Sequence, residues 1–152
     1  NKIHFMPKLT NFCFCILIFT TACGDSLQRP SVDNNRLTES FSILQNAPPV
    51  VIETFPKSGD SNVDHNLDLI KVTFSMEMND RSWSWVKTSN ESFPEINGDP
   101  VYDIRKRTVS LPVKLKPNTT YIIWLNQGSN LNFKGANDRS AIPYLLTFKT
   151  SA

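Results

Sequence analysis

Beyond residue 48 this chain is written in steps of two. In "LIKVTFS" (69–75) Ile70, Val72 and Phe74 alternate with Lys71 and Thr73. Successive side chains of a β-strand point to opposite faces, so the three apolar residues share one face. The same alternation aligns Val109, Leu111 and Val113 in "TVSLPV", Tyr121, Ile123 and Leu125 in "TYIIWLN", and Tyr144, Leu146 and Phe148 in "YLLTFKT". "VVIETF" (50–55) and "SWSWVKT" (82–88) are further strand candidates, the second with Trp83 and Trp85 on one face. Turn signals separate the runs: "PKSGD", "NGDP" and the "RKR" between "VYDI" and "TVSLPV", which suggests a hairpin. No run of ten or more residues in this region holds a helical period. About seven short strands joined by turns describe an all-β sandwich over residues 48–152.

The cysteines bound how such a domain is held together. Cys13, Cys15 and Cys23 all lie near the N-terminus, so no disulfide can staple the β region and its apolar core must suffice. Roughly 100 residues rich in Val, Ile, Leu, Phe and Trp can supply that core. Hydrophobic content of 39%, charged content of 20% and a formal charge of +2 are ordinary for a globular chain. The charges are interspersed, so neither a basic stripe for nucleic acid nor an acidic tail is present.

The N-terminal residues 1–22 have the layout of an export signal. Lys2 and Lys8 precede an apolar run, small residues come after it, and Met6 is a suitable initiator. The run is well short of the ~20 residues that cross a bilayer. "TTAC" resembles a bacterial lipobox, which implies cleavage before Cys23 and acylation of its thiol. The alternative is an ordinary signal peptide with Cys23 incidental. Several acyl chains would anchor stably, at ~0.8 kcal/mol per buried CH₂. Residues 23–47 are polar with scattered apolar positions and read as a mostly disordered tether, with a short helix over 36–44.

"LKPNTTY" (115–121) ties the strands to one architecture. Immunoglobulin-type sandwiches often carry a tyrosine corner, in which a Tyr near the start of a strand bonds its hydroxyl to backbone a few residues upstream. Leu115, Pro117 and Tyr121 have the spacing this requires: Leu plugs the core, Pro stiffens the corner and Tyr spans it. The motif serves folding and register rather than catalysis.

"PPVVIETFPKSGDSNVDHNLDLIKVTFSMEM" resembles the opening of an SbsA-type bacterial Ig-like domain. The matching positions are Pro49, Pro56, Gly59, Val63, Val72, Phe74, Ser75 and Met78, and the corner and "LTFKT" (146–150) complete the pattern. The resemblance covers residues 48–150. It implies a seven-stranded immunoglobulin-like sandwich used as a spacer or accessory module on surface and secreted bacterial proteins, with no catalytic residues.

Reactive groups are sparse in the β region. His65 is its single histidine, no "GxSxG" occurs, and no cysteine lies beyond Cys23, so no nucleophile–His–acid set is in view. Asp60, Asp64 and Asp68 recur every four residues, but in a turn-rich segment broken by Gly59, and a calcium site needs six or more oxygens. Neither a metal site nor a cofactor is expected. Trp124 lies opposite the inward set of its strand and could join Ile122 in an exposed strip that contacts a protein or glycan. The leading expectation is a non-enzymatic, membrane-anchored Ig-like module of the bacterial envelope, acting in structure or protein interaction. The alternatives are a glycan- or peptide-binding module, or an accessory domain of a larger surface enzyme.

Overall fold

The computed structural model describes residues 34–152. The expected leader, Cys23 and the first part of the expected tether lie outside the described residues. Eight strands come after one helix: α1 (Asn34–Asn46), β1 (Val51–Phe55), β2 (Leu69–Phe74), β3 (Trp85–Lys87), β4 (Glu95–Ile96), β5 (Val101–Tyr102), β6 (Thr108–Lys114), β7 (Thr120–Leu125) and β8 (Tyr144–Lys149).

α1 covers the short helix expected over 36–44 and extends it by two residues at each end. Pro48 and Pro49 stop it, since proline lacks the N–H that would continue the ladder and disfavours a helical residue before it. Its last turn is held from a distant loop. Asn137 Nδ2 donates to the carbonyls of Gln45 (3.0 Å) and Ala47 (3.1 Å), supplying partners to carbonyls that a helix end leaves free.

Two antiparallel sheets form the sandwich. The larger has the order β1-β2-β6-β4, with β5 also on β6, and the smaller has the order β3-β7-β8. Ile70, Val72 and Phe74 of β2, Val109, Leu111 and Val113 of β6, Tyr121, Ile123 and Leu125 of β7, and Leu146 and Phe148 of β8 are buried together. The inward faces read from the alternation are therefore the inward faces of the fold. Tyr144, the remaining member of that set, is only half-buried at the rim. Phe133, from the segment between β7 and β8, fills the core against Phe74 (centroids 5.4 Å apart) and edge-on against Trp85 (5.2 Å). Truncating Phe74 to alanine would cost about 3–5 kcal/mol, the usual loss for a buried phenylalanine.

The strand expected over 82–88 is only three residues long. Trp83 precedes it rather than sharing its face with Trp85, and both indoles are half-buried against the core. Ser84 is buried between them because its polar groups are used: its carbonyl accepts the Asn126 N–H (3.1 Å) and its hydroxyl accepts the Asn132 N–H (3.1 Å). β4 is two residues in "FPEING", where no alternation marks it.

Pro112 explains why β4 and β5 are separate. The Val113 N–H bonds toward β2, at the Asp68 carbonyl, so the flanking residues 112 and 114 face the outer edge of β6. Proline there offers that edge no donor. β5 pairs with β6 on one side of Pro112, at Val109 and Ser110, and β4 on the other, at Val113 and Lys114. The expected "RKR" hairpin joins β5 to β6. Asp103 Oδ1 accepts the N–H groups of Arg107 (2.8 Å) and Thr108 (3.1 Å), and Lys106 takes a left-handed conformation (φ 51°).

The pairing sets where the chain enters and leaves. β1 starts beside Phe74, the last residue of β2, and β8 ends beside Thr120, the first residue of β7. β2 runs toward the end of the sandwich occupied by Leu125 and Asn126, and β7 starts at the other. The chain therefore enters the sandwich at one end and leaves at the opposite end.

Candidate functional site

The segment at the exit end is the most tightly bonded of the sequence-selected features. Tyr121 is 2% exposed, and its ring lies on Phe148 with centroids 5.2 Å apart. Its hydroxyl accepts the Lys116 N–H at 2.7 Å, five residues upstream. Leu115 is half-buried against the core, and Pro117 precedes Asn118, which turns the chain through a left-handed conformation (φ 49°). The Pro117 carbonyl accepts the Thr119 hydroxyl at 2.9 Å.

Thr150, which no sequence reading singled out, joins the same corner. It is buried just past β8, and its hydroxyl donates to the Lys116 carbonyl (2.6 Å) while accepting the Thr119 N–H (2.9 Å). The Asn118 N–H reaches the Ser151 carbonyl at 2.7 Å. The corner is thus bonded to the last strand from two sides. The only hint in the sequence was the terminal "LTFKT", whose apolar residues carry the pattern while the threonine looks like an ordinary strand end.

Trp124 lies on the outer face of the smaller sheet, half-buried. Val86 of β3 and Leu145 of β8 are its cross-strand neighbours, and Ile122 lies on the same face two residues back. Leu145 is 37% exposed. The arrangement is an apolar strip across three strands with no ionisable group among its four members. It can pack against another surface and has no acid, base or nucleophile of its own.

The aspartates after β1 are occupied with turns. Asp60 Oδ1 accepts the Asn62 N–H (2.9 Å), and Asp64 Oδ1 accepts the Asn66 N–H (2.8 Å) and side-chain amide (3.0 Å). These bonds from Asn66 lower the Asp64 pKa below the ordinary carboxylate value, the backbone bond contributing most. Among the described residues no three His, Cys, Asp or Glu side chains come together as metal ligands. His65 is only half-exposed, and its Nδ1 is buried without a protein partner.

Asn126 is the polar centre of the opposite end, and sequence reasoning missed it. It is fully buried, with φ 59°. Its Nδ2 donates to the carbonyls of Phe133 and Ala141, both at 3.0 Å, and its Oδ1 accepts the Phe133 N–H at 2.9 Å. Asparagine tolerates the left-handed region better than most residues, and its amide has both a donor and an acceptor to give. It fastens the Phe133 segment, and so the aromatic plug, to the end of β7.

With the geometry established, similarity to known proteins decides the family. The family model described as a bacterial Ig-like domain matches residues 45–150. The chain belongs to the bacterial Ig-like domain family. Its fold is also that of two solved structures, surface layer protein SbsC domains 1–6 and the S-layer protein rSbsC(31-844). Each is 13% identical, with a TM-score of 0.51 over 78% of this chain. This chain spans only 16% of the length of those proteins. No protein of curated function is detectably similar in sequence. The family is non-catalytic, which agrees with a site built from turn-bound carboxylates, a pinned corner and an apolar strip.

Proposed function

We propose that this Ig-like domain works as a lipid-anchored structural or protein-interaction module of the bacterial cell envelope. The observation that carries the reading is the in-line path of the chain. It enters at one end of the sandwich behind α1 and leaves at the other, where Tyr121 and Thr150 hold the corner against the last strand. A module of this kind sets a distance between the attachments at its two ends. The lipobox-like "TTAC" supports an acylated Cys23 as the N-terminal attachment, and the membrane is then the first partner. The likeness to parts of surface-layer proteins is in keeping with an envelope location. Leu115, Pro117 and Tyr121 act together as the tyrosine corner.

Fractionation of cells expressing the full chain tests the anchored module. The wild type should sediment with membranes and dissolve only in detergent, while Cys23→Ala should remain soluble. A Cys23→Ala variant that still sediments with membranes would remove the anchor from this account.

A second reading has its own observation. The strip of Val86, Trp124 and Leu145 leaves apolar surface on the outer face of the small sheet, and such surface can receive a protein or glycan partner.

A further inference from the structure

The two ends of the sandwich differ in charge. At the entry end, the segments 75–84, 103–107 and 126–143 carry six basic side chains against four acidic ones. At the exit end, the segments 56–68, 88–94 and 115–119 carry two against four. Three of the four acids at the entry end are engaged locally. Asp80 Oδ1 accepts the Arg81 N–H, Asp103 Oδ1 accepts those of Arg107 and Thr108, and Asp138 Oδ1 accepts the Asn79 side-chain amide (2.9 Å). Arg107 is committed too, its guanidinium donating to the carbonyls of Phe74 and Ser75. Arg81, Arg105 and Arg139 stand exposed, and the ion pair found among the described residues, Lys114 with Glu95, lies elsewhere.

The same end shows apolar side chains to solvent. Ile104, at the tip of the β5–β6 hairpin beside Arg105, is 99% exposed. The backbone beneath it is fixed: the Lys106 N–H donates to the Asp103 carbonyl (2.9 Å), and the Lys106 carbonyl accepts the Met78 N–H (2.8 Å). The tip therefore cannot fold back to bury its isoleucine. α1 repeats the pattern. Leu37 and Phe41, one turn apart, share a face and are 58% and 64% exposed. The helix is bonded to the domain at its last turn, through Asn137. A helix of 13 residues is marginal in water unless its apolar face is packed.

The position of these groups along the chain indicates what covers them. Ten residues separate Cys23 from α1, and ten residues span at most about 36 Å. An anchor at Cys23 therefore brings α1 and the entry end to the bilayer before any other part of the domain. Exposed apolar side chains enter the boundary of headgroups and acyl chains, and arginines beside them meet lipid phosphate. A second copy docking end to end in the same sense would set two basic ends together, which like charges oppose.

We infer that the entry end is a membrane-facing surface for anionic phospholipid, with Ile104 inserting at the headgroup boundary, Arg105 pairing with phosphate, and Leu37 and Phe41 of α1 lying against the same leaflet. The choice of occupant rests on the anchoring proposed above. It gives the module an orientation: the basic end lies on the bilayer and the tyrosine corner points away from it.

The test places the full chain on nanodiscs of phosphatidylcholine, alone or mixed with phosphatidylglycerol, that carry a nitroxide headgroup lipid. Attenuation of amide signals reads which residues approach the bilayer. On the mixed discs, amides of 103–106 and 37–41 should be attenuated and those of 116–119 should not. Ile104→Ser should lower the ratio of docked to undocked domain about tenfold, the partition of one large apolar side chain. Arg105→Gln should lower it about fivefold on the mixed discs, the share of one basic residue at an anionic surface, and leave it unchanged on phosphatidylcholine alone. The inference is overturned if both ends are attenuated equally, if the exit end is attenuated more, or if neither variant changes the ratio. It is equally overturned if, without lipid, the shifts of 103–106 move with protein concentration, which would make the surface a contact between copies. An acylated chain attenuated equally at both ends would leave the anchor standing and remove this surface. Entry-end attenuation in a chain that carries no acyl group would remove the anchor and leave the surface.

Discussion

Replacing Tyr121 by phenylalanine isolates what the corner contributes. The ring is buried and stacked on Phe148, and phenylalanine keeps that packing. The change deletes one atom, the oxygen that accepts the Lys116 N–H at 2.7 Å. Leaving a buried donor unsatisfied costs about 1–3 kcal/mol. The Lys116 amide lies at a part-buried position where water can compensate in part, which places the expected loss near the lower half, about 1–2 kcal/mol. For a domain of this size that corresponds to a melting shift of roughly 4–8 °C. Urea denaturation monitored by tryptophan fluorescence measures it, with an unchanged m-value showing that the fold survives. Thr150→Val removes the other anchor of the same corner, the hydroxyl between the Lys116 carbonyl and the Thr119 N–H. The two changes should be non-additive by at least about 0.5 kcal/mol, as residues sharing one network are. A Tyr121→Phe midpoint equal to wild type, or strict additivity with Thr150→Val, would refute the corner as a coupled unit.

Two further outcomes are expected. Trp124→Ala should cost about 1–2 kcal/mol through its cross-strand neighbours Val86 and Leu145, with the fold intact. If the strip is a contact surface, partner capture should vanish alongside that modest loss, whereas a collapse in stability would place Trp124 in the core and the β7 register off by one. Asn126→Ala should be the most damaging polar substitution, at about 2–5 kcal/mol, since it strands the buried Phe133 N–H and Ala141 carbonyl, while the Phe133 carbonyl keeps only the Ala141 N–H. A loss below about 1 kcal/mol in chemical denaturation would show that the Phe133 segment is held by something else.

The core was legible because a half-buried strand must alternate. Every inward position assigned to β2, β6 and β7 is buried, and the "LKPNTTY" spacing placed Tyr121 beside the backbone it bonds. The hidden features had no period to reveal them. β4 is two residues long and owes its place to the break at Pro112. Trp83 obeys the alternation but leaves the strand, because Ser84 turns inward to bond Asn126 and Asn132. Asn126 and Thr150 matter through side-chain polar atoms whose partners lie outside their own strands. α1 shows the reverse case: its residues give a poor helical pattern, and its last turn is completed by Asn137, ninety residues from Ala47.

The proposed anchoring depends first on Cys23, and metabolic labelling with a fatty-acid probe tests it most directly. In a bacterial host, the wild-type chain should incorporate the probe and Cys23→Ala should not, with both proteins present at similar levels. Equal incorporation into the two would contradict the anchor, and with it the reading of this domain as a spacer held at a membrane.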